Sequence, residues 1–190
     1  MGFLESLSPI LAKTNASELV PGKSASVALI FHGSRTKEEI LLITRAERAG
    51  DPWSGQVAFP GGMVEESDTS FEETARRETM EEVGVDLGEG SFVGYMREFE
   101  ARRRPVRVVP SVFKVDEAPD VRMNGEVAAF EWVPLARLAR KEAMSKYRVQ
   151  RHGATLEFPA LVYGGLLMWG LTERIISTVL AASSRSLGRA

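Results

Sequence analysis

The chain has 190 residues, 44% of them hydrophobic and 26% charged, with 24 basic and 26 acidic side chains and a net charge of −2. That length suits one domain with its own core, and that charge balance argues against disorder and against nucleic acid as a partner. There is no cysteine, which excludes disulfides, thiolate zinc sites and thiol nucleophiles and fits a reducing compartment. The longest apolar run, Leu161 to Leu171, stops at Thr172-Glu173-Arg174, short of the roughly 20 residues a membrane span needs. The first residues lack a basic segment followed by an unbroken apolar core, so the chain reads as soluble and cytoplasmic, with no membrane partner.

Phe3, Leu4, Leu7, Ile10 and Leu11 recur at helical spacing and predict a first helix over about 3–14. Pro21-Gly22-Lys23-Ser24 predicts a turn and not a phosphate loop, because that motif needs glycine where Ser17 stands. Strand-like runs follow at Ser26–Phe31 and Ile40–Thr44, on either side of the polar tip Gly33-Ser34-Arg35-Thr36. After a loop from Gly50 to Gly55, a short strand at Gln56–Phe59 stops at Pro60-Gly61-Gly62. From Thr69 to Val83 the pattern is helical, with Asp68 or Thr69 placed as N-cap and Gly84 at the C-terminal glycine position. Phe92–Phe99 and Val106–Val115 predict two strands joined by the basic tip Arg102-Arg103-Arg104-Pro105, and Val127–Val133 another strand. Leu135 to about Lys146 predicts a helix, and Tyr163 to about Ala182 a longer one. Strands mixed with helices at both ends predict an α/β (α+β) domain over 1–190, a mixed sheet covered by helices.

Charge is concentrated in one place. Between Glu65 and Glu82 there are eight acidic residues against Arg76 and Arg77, a local charge of −6. At about 100° per residue, Glu78, Glu81 and Glu82 fall within one arc of roughly 100°. Like charges at i,i+3 and i,i+4 repel, so three carboxylates on one arc suggest a bound cation, a hard divalent ion above all. Gly61 and Gly62, just upstream, allow the main chain to approach such an ion closely.

A Gly-Gly turn leading into Arg77-Glu78-Thr79-Met80-Glu81-Glu82-Val83-Gly84-Val85 resembles the signature of the Nudix hydrolases over about 62–85. Asp68 stands where the signature's first acid is Glu, and eight residues instead of seven separate it from Arg77. That spacing, with Phe59-Pro60-Gly61-Gly62 before it and Leu41-Leu42-Ile43-Thr44-Arg45-Ala46 and Gly55 upstream, is similar to the coenzyme A diphosphatase branch. Ala46 stands for the branch's Ser, and Asp51 for its spacer arginine. Glu131-Trp132-Val133-Pro134-Leu135 and Met168-Trp169-Gly170-Leu171-Thr172 also resemble the branch, so the likeness covers most of 25–180.

The resemblance implies a Nudix α/β/α sandwich and hydrolysis of a nucleoside diphosphate linked to another group, with Mg²⁺ or Mn²⁺ as cofactor. It implies Glu78 and Glu82 as metal ligands, with Glu81 beside them as a further ligand or the residue that orients the water. Arg77 is expected to pair with helix carboxylates, and Gly61, Gly62 and Arg45 to meet the substrate. Glu126, entering the next strand, is the candidate base, with an ordinary loop acid as its other reading. Arg104, in a hairpin of net charge +3 between Arg97 and Arg107, and the +5 stretch from Arg137 to Arg151 offer phosphate partners; solvated surface is the alternative for both. Coenzyme A and ADP-ribose or a similar nucleotide both stay open as substrate, a non-catalytic binding module is a third reading, and a homodimer is compatible with the likeness. His32 and His152 read as structural or surface residues, Trp132 and Trp169 as packing residues, and Trp53 as loop packing.

Overall fold

In chain order the strands are Ser24–His32 (β1), Glu39–Arg45 (β2), Val57–Ala58 (β3), Gly61–Met63 (β4), Phe92–Tyr95 (β5), Phe99–Ala101 (β6) and Val106–Lys114 (β7). Val127–Pro134 (β8), Met144–Arg151 (β9), Ala154–Tyr163 (β10) and Leu166–Trp169 (β11) follow. The helices are Phe3–Leu7 (α1), Phe71–Val83 (α2), Leu135–Leu138 (α3) and Leu171–Leu187 (α4). The structure is a computed structural model and describes residues 3–13, 17–34, 37–51, 53–88, 91–101, 105–151 and 153–187.

Ala28–Phe31 of β1 and Ile40–Ile43 of β2 are continuous apolar runs, none more than 1% exposed, as strands covered on both faces must be. Side chains alternate. Ala28, Ile30, Leu41 and Ile43 pack against Ala75 and Val83 of α2. Leu29, Phe31, Ile40 and Leu42 pack on the other side against Leu7 of α1 and Ile175, Ile176 and Val179 of α4. This is the expected sandwich, a mixed sheet between helices. β1 pairs in parallel with β7 over eight residues and antiparallel with β2 and β4, while β8 pairs with the far side of β2. A separate antiparallel sheet, ordered β11-β10-β9, leans on α3 and α4.

Five local expectations are corrected. The helix expected over 3–14 ends at Leu7 and passes into a 3₁₀ turn, Ser8–Ile10, because Pro9 cannot donate in a continuing helix. Ser70, not Asp68 or Thr69, caps α2: its hydroxyl accepts from the Glu73 amide, while Gly84 closes the helix at φ +64°. The helix expected from Leu135 to Lys146 stops at Leu138, since Met144 onward pairs with β10 along eight residues and that ladder outweighs helix propensity. The helix expected from Tyr163 starts at Leu171 instead. Gly164 and Gly165, both at positive φ (+55° and +90°), make a two-residue hairpin turn between β10 and β11. The strand expected over 92–99 is interrupted by residues 96–98.

Candidate active site

α2 carries the glutamates to the site, and the Gly61–Met63 strand lies across it. Glu82, with its side chain only 3% exposed, accepts a hydrogen bond from the Gly61 amide to Oε2 at 2.9 Å. Arg45, at the end of β2, brings Nη1 to 3.7 Å from Glu82 Oε1. Burial pushes the Glu82 carboxyl up to about 7, with Glu78 and Glu126 adding repulsion and the Gly61 amide and Arg45 opposing it. Glu78 is also raised, first by burial, against the pull of Arg77. A carboxylate that stays protonated near neutrality is one that lacks enough positive charge.

The glycines are fixed by contact. A Cβ on Gly61, at φ +149°, would lie 2.3 Å from the Ser26 carbonyl oxygen, so β4 reaches β1 only with glycine there. A Cβ on Gly62 would fall 2.3 Å from Glu78 Oε1, inside the carboxylate. The turn and the helix therefore meet with no side chain between them.

Arg77 binds the acidic cluster together. Its guanidinium donates to both Asp68 oxygens (3.2 and 3.1 Å), to Glu78 Oε1 (2.9 Å) and to the Met63 carbonyl (3.0 Å). Glu65 and Glu81 stand at 3.6 and 3.5 Å from it. Asp68 is nearly buried and also accepts from the Glu65 amide and the Thr74 hydroxyl. Burial alone would raise the Asp68 carboxyl, but Arg77 and these donors hold it below the ordinary carboxylate range. Asp68 thus anchors Arg77 across the extra residue in the spacing, a role its sequence position did not reveal.

The donors suit a hard divalent cation in kind. Glu82 is buried, Glu78 is partly buried and paired with Arg77, and Glu81 is half-exposed beside them; all three offer only oxygen. As they stand, no three acidic or histidine side chains among the described residues are close enough to enclose an ion. Arg77 lies between Glu78 and Glu81, so Glu81 would have to turn to complete a set.

Glu126 lies farther out. Its carboxylate takes Arg48 Nη1 at 2.8 Å, and its carbonyl accepts from the Ala46 amide. Asp51, read from sequence as a departure, accepts from Arg45 Nη2 at 3.1 Å and from the Trp53 amide. Burial raises the Asp51 carboxyl, but the Trp53 amide and Arg45 outweigh it and hold it below its ordinary value. The Arg45 Nε is buried and has no hydrogen-bond partner among the described residues. Arg104 and His152 lie outside the described residues. His32 pairs with Glu39 and meets Trp132 edge-on, away from the glutamates.

Residues 22–152 match the NUDIX domain model. The chain belongs to the Nudix hydrolase family. It is 30% identical to the "Uncharacterized Nudix hydrolase NudL" of Pectobacterium atrosepticum, over 90% of this chain and 83% of that one. It is 33% identical to the "Peroxisomal coenzyme A diphosphatase ndx-8" of Caenorhabditis elegans, over 62% of this chain and 53% of that one. A relative from Schizosaccharomyces pombe is 37% identical, and the match spans only 36% of its length. The fold is that of a solved MutT/nudix family protein from Enterococcus faecalis, with a TM-score of 0.60 at 19% identity, covering 92% of this chain and 66% of that chain. Among the described residues no helix is long and apolar enough to cross a membrane.

Proposed function

We propose that this chain hydrolyses the diphosphate bond of coenzyme A or its derivatives. Water attacks one phosphorus, the bond from that phosphorus to the bridging oxygen breaks, and 3′-phosphoadenosine 5′-phosphate and 4′-phosphopantetheine leave. The observation that carries the hydrolytic reading is the meeting of three separate segments at Glu82: α2, the Gly61 amide at 2.9 Å and Arg45 at 3.7 Å. A carboxylate buried against a glycine turn and an arginine is arranged for a polyanion and its counter-ion.

Glu78 and Glu82, with Glu81, are the residues that would hold Mg²⁺ or Mn²⁺. When bound, the metal neutralises the diphosphate and lowers the pKa of the attacking water. Arg77 fixes Glu78 against Met63 and Asp68 so that the donors stay in register. Arg45, its side chain a quarter exposed beside Glu82, offers the diphosphate a guanidinium. Gly61 and Gly62 keep the approach to the helix open. Glu126 is the proposed base, its carboxylate paired with Arg48 at 2.8 Å.

Coenzyme A as substrate is supported by Arg45 and the Gly61-Gly62 end of the Gly55–Gly62 segment lying at the glutamates and by the Caenorhabditis elegans relative. A second reading, ADP-ribose or another nucleoside diphosphate derivative, is favoured by Asp51, which already occupies one side of Arg45. The test is kcat/KM for coenzyme A, dephospho-coenzyme A and ADP-ribose side by side. Coenzyme A is expected to lead, with dephospho-coenzyme A about ten- to hundred-fold worse for want of one charged phosphate contact. ADP-ribose as best substrate replaces the first reading with the second.

A further inference from the structure

A cavity of about 510 Å³ is lined by Asp51 and by none of Glu78, Glu81 and Glu82. That size is within the range of small-molecule sites. One wall is the loop and strand end that carry Thr44, Asp51 and Gln56; the other is the β9–β11 sheet, with Tyr147 and Trp169. The two walls differ in chemistry, one rich in hydrogen-bonding groups and the other apolar, where the rings of Tyr147 and Trp169 stand with Leu166 and Leu167.

The register of the small sheet explains the aromatic wall. Tyr147 stands opposite Phe158, and Trp169 opposite Ala160, two residues farther along the same strand. Residues two apart in a strand share a face, so the small Ala160 leaves room for Tyr147 and Trp169 to meet over it. Their rings stack with centroids 4.1 Å apart and planes 27° from parallel, and each ring is half-buried. Trp169 is thus only partly a packing residue.

The cavity is tied to the site by one continuous chain of contacts. Asp51 lines it and accepts from Arg45 at 3.1 Å, and Arg45 reaches Glu82 at 3.7 Å. A group joined to a diphosphate at Arg45 has this cavity as its neighbour. A flat ring with a polar edge satisfies both walls at once, whereas a flexible amide arm has no face to stack.

We propose that this cavity is a base subsite, in which the adenine of a nucleoside diphosphate substrate lies against the Tyr147–Trp169 pair and its exocyclic amine donates to Asp51. The inference rests on the diphosphatase reading for its ligand. Asp51 only accepts hydrogen bonds when ionised, so it selects an amino group over a carbonyl at that edge. Hypoxanthine, which carries a carbonyl there, is disfavoured.

The test uses the whole protein, with AMP, IMP and 4′-phosphopantetheine as probes and tryptophan fluorescence as the readout. AMP is expected to quench the emission saturably and IMP to bind at least several-fold more weakly. The AMP signal is expected to disappear in Trp169→Phe, although Trp53 and Trp132 remain. Tyr147→Leu is expected to raise KM for both coenzyme A and ADP-ribose roughly five- to hundred-fold with kcat nearly unchanged, the range for losing a stacked base. Tyr147→Phe, which keeps a ring, is expected to behave as wild type and to show that the sheet itself is not the cause. Quenching by 4′-phosphopantetheine but not by AMP, equal affinity for AMP and IMP, or an unchanged KM in Tyr147→Leu each overturns the subsite. AMP quenching that vanishes in Trp169→Phe, in a protein that cleaves no diphosphate substrate, upholds the subsite and refutes the hydrolytic reading instead.

Discussion

Replacing Glu82 by Gln is expected to stabilise the metal-free protein above neutral pH while nearly abolishing turnover. In the fold the carboxyl is raised from 4.5 to about 7. The folded state therefore holds this proton more tightly than the unfolded state between those values, and stability falls as pH rises through that window. By pH 8 the ionised, buried carboxylate costs at most about 3 kcal/mol. Gln keeps an oxygen for the Gly61 amide but turns a donor toward Arg45, which returns about 1 kcal/mol. The net gain is at most about 2 kcal/mol, up to roughly 4–8 °C in Tm for a chain of this length. The assay is thermal unfolding of both proteins after exhaustive chelation, from pH 4 to 9. The difference between them isolates Glu82 from every other titrating group. It should be small or against the variant near pH 4 and favour it above pH 7. Adding Mg²⁺ or Mn²⁺ should stabilise the wild type and not the variant. A Glu82→Gln protein less stable than wild type at pH 8 without metal refutes the reasoning, and one with near-normal turnover in saturating Mg²⁺ refutes the ligand assignment.

Arg45→Ala is expected to raise KM for coenzyme A about tenfold or more, with a smaller loss in kcat, because in the proposed mode of binding the guanidinium meets phosphate in ground and transition states alike. A depressed kcat at unchanged KM would place Arg45 on the reacting phosphorus instead. Asp68→Asn is expected to cost about 1–3 kcal/mol at pH 7 in urea unfolding, by weakening the hold on Arg77. Since the Asp68 carboxyl sits below its ordinary 3.8 in the fold, its contribution is present above that value and is lost as pH falls through the lowered one. The two proteins should converge in acid, and equal stability at pH 7 would show that Asp68 does not anchor Arg77.

What the chain declares about itself follows from the range of each signal. α2 was readable because its evidence is local: the periodic carboxylates, the acid-rich first turn and Gly84 all lie within 15 residues. The apolar runs of β1 and β2 were equally plain, since burial on both faces leaves no polar position to confuse them. The Arg45–Asp51 and Asp68–Arg77 pairs were not readable, because each depends on how a loop folds back. The stretch from Leu161 to Leu171 misled for a different reason. A short apolar run has no period to separate helix from strand, and Gly164 and Gly165 within it are a hairpin turn only once the partner strands are known.

The parallel pairing of β1 with β7 also bears on how the site comes into being. Ser24 is matched with Arg107 and Phe31 with Lys114, so the ladder joins segments more than eighty residues apart. The glycine turn and the glutamate helix both lie inside the loop that this ladder closes, and both rest on β1. Such a loop is slow to close, because its entropy is lost before its contacts form. The candidate site therefore cannot assemble as a local unit ahead of the sheet. Its integrity is bound to the global folding equilibrium, not to the fraying of any one segment.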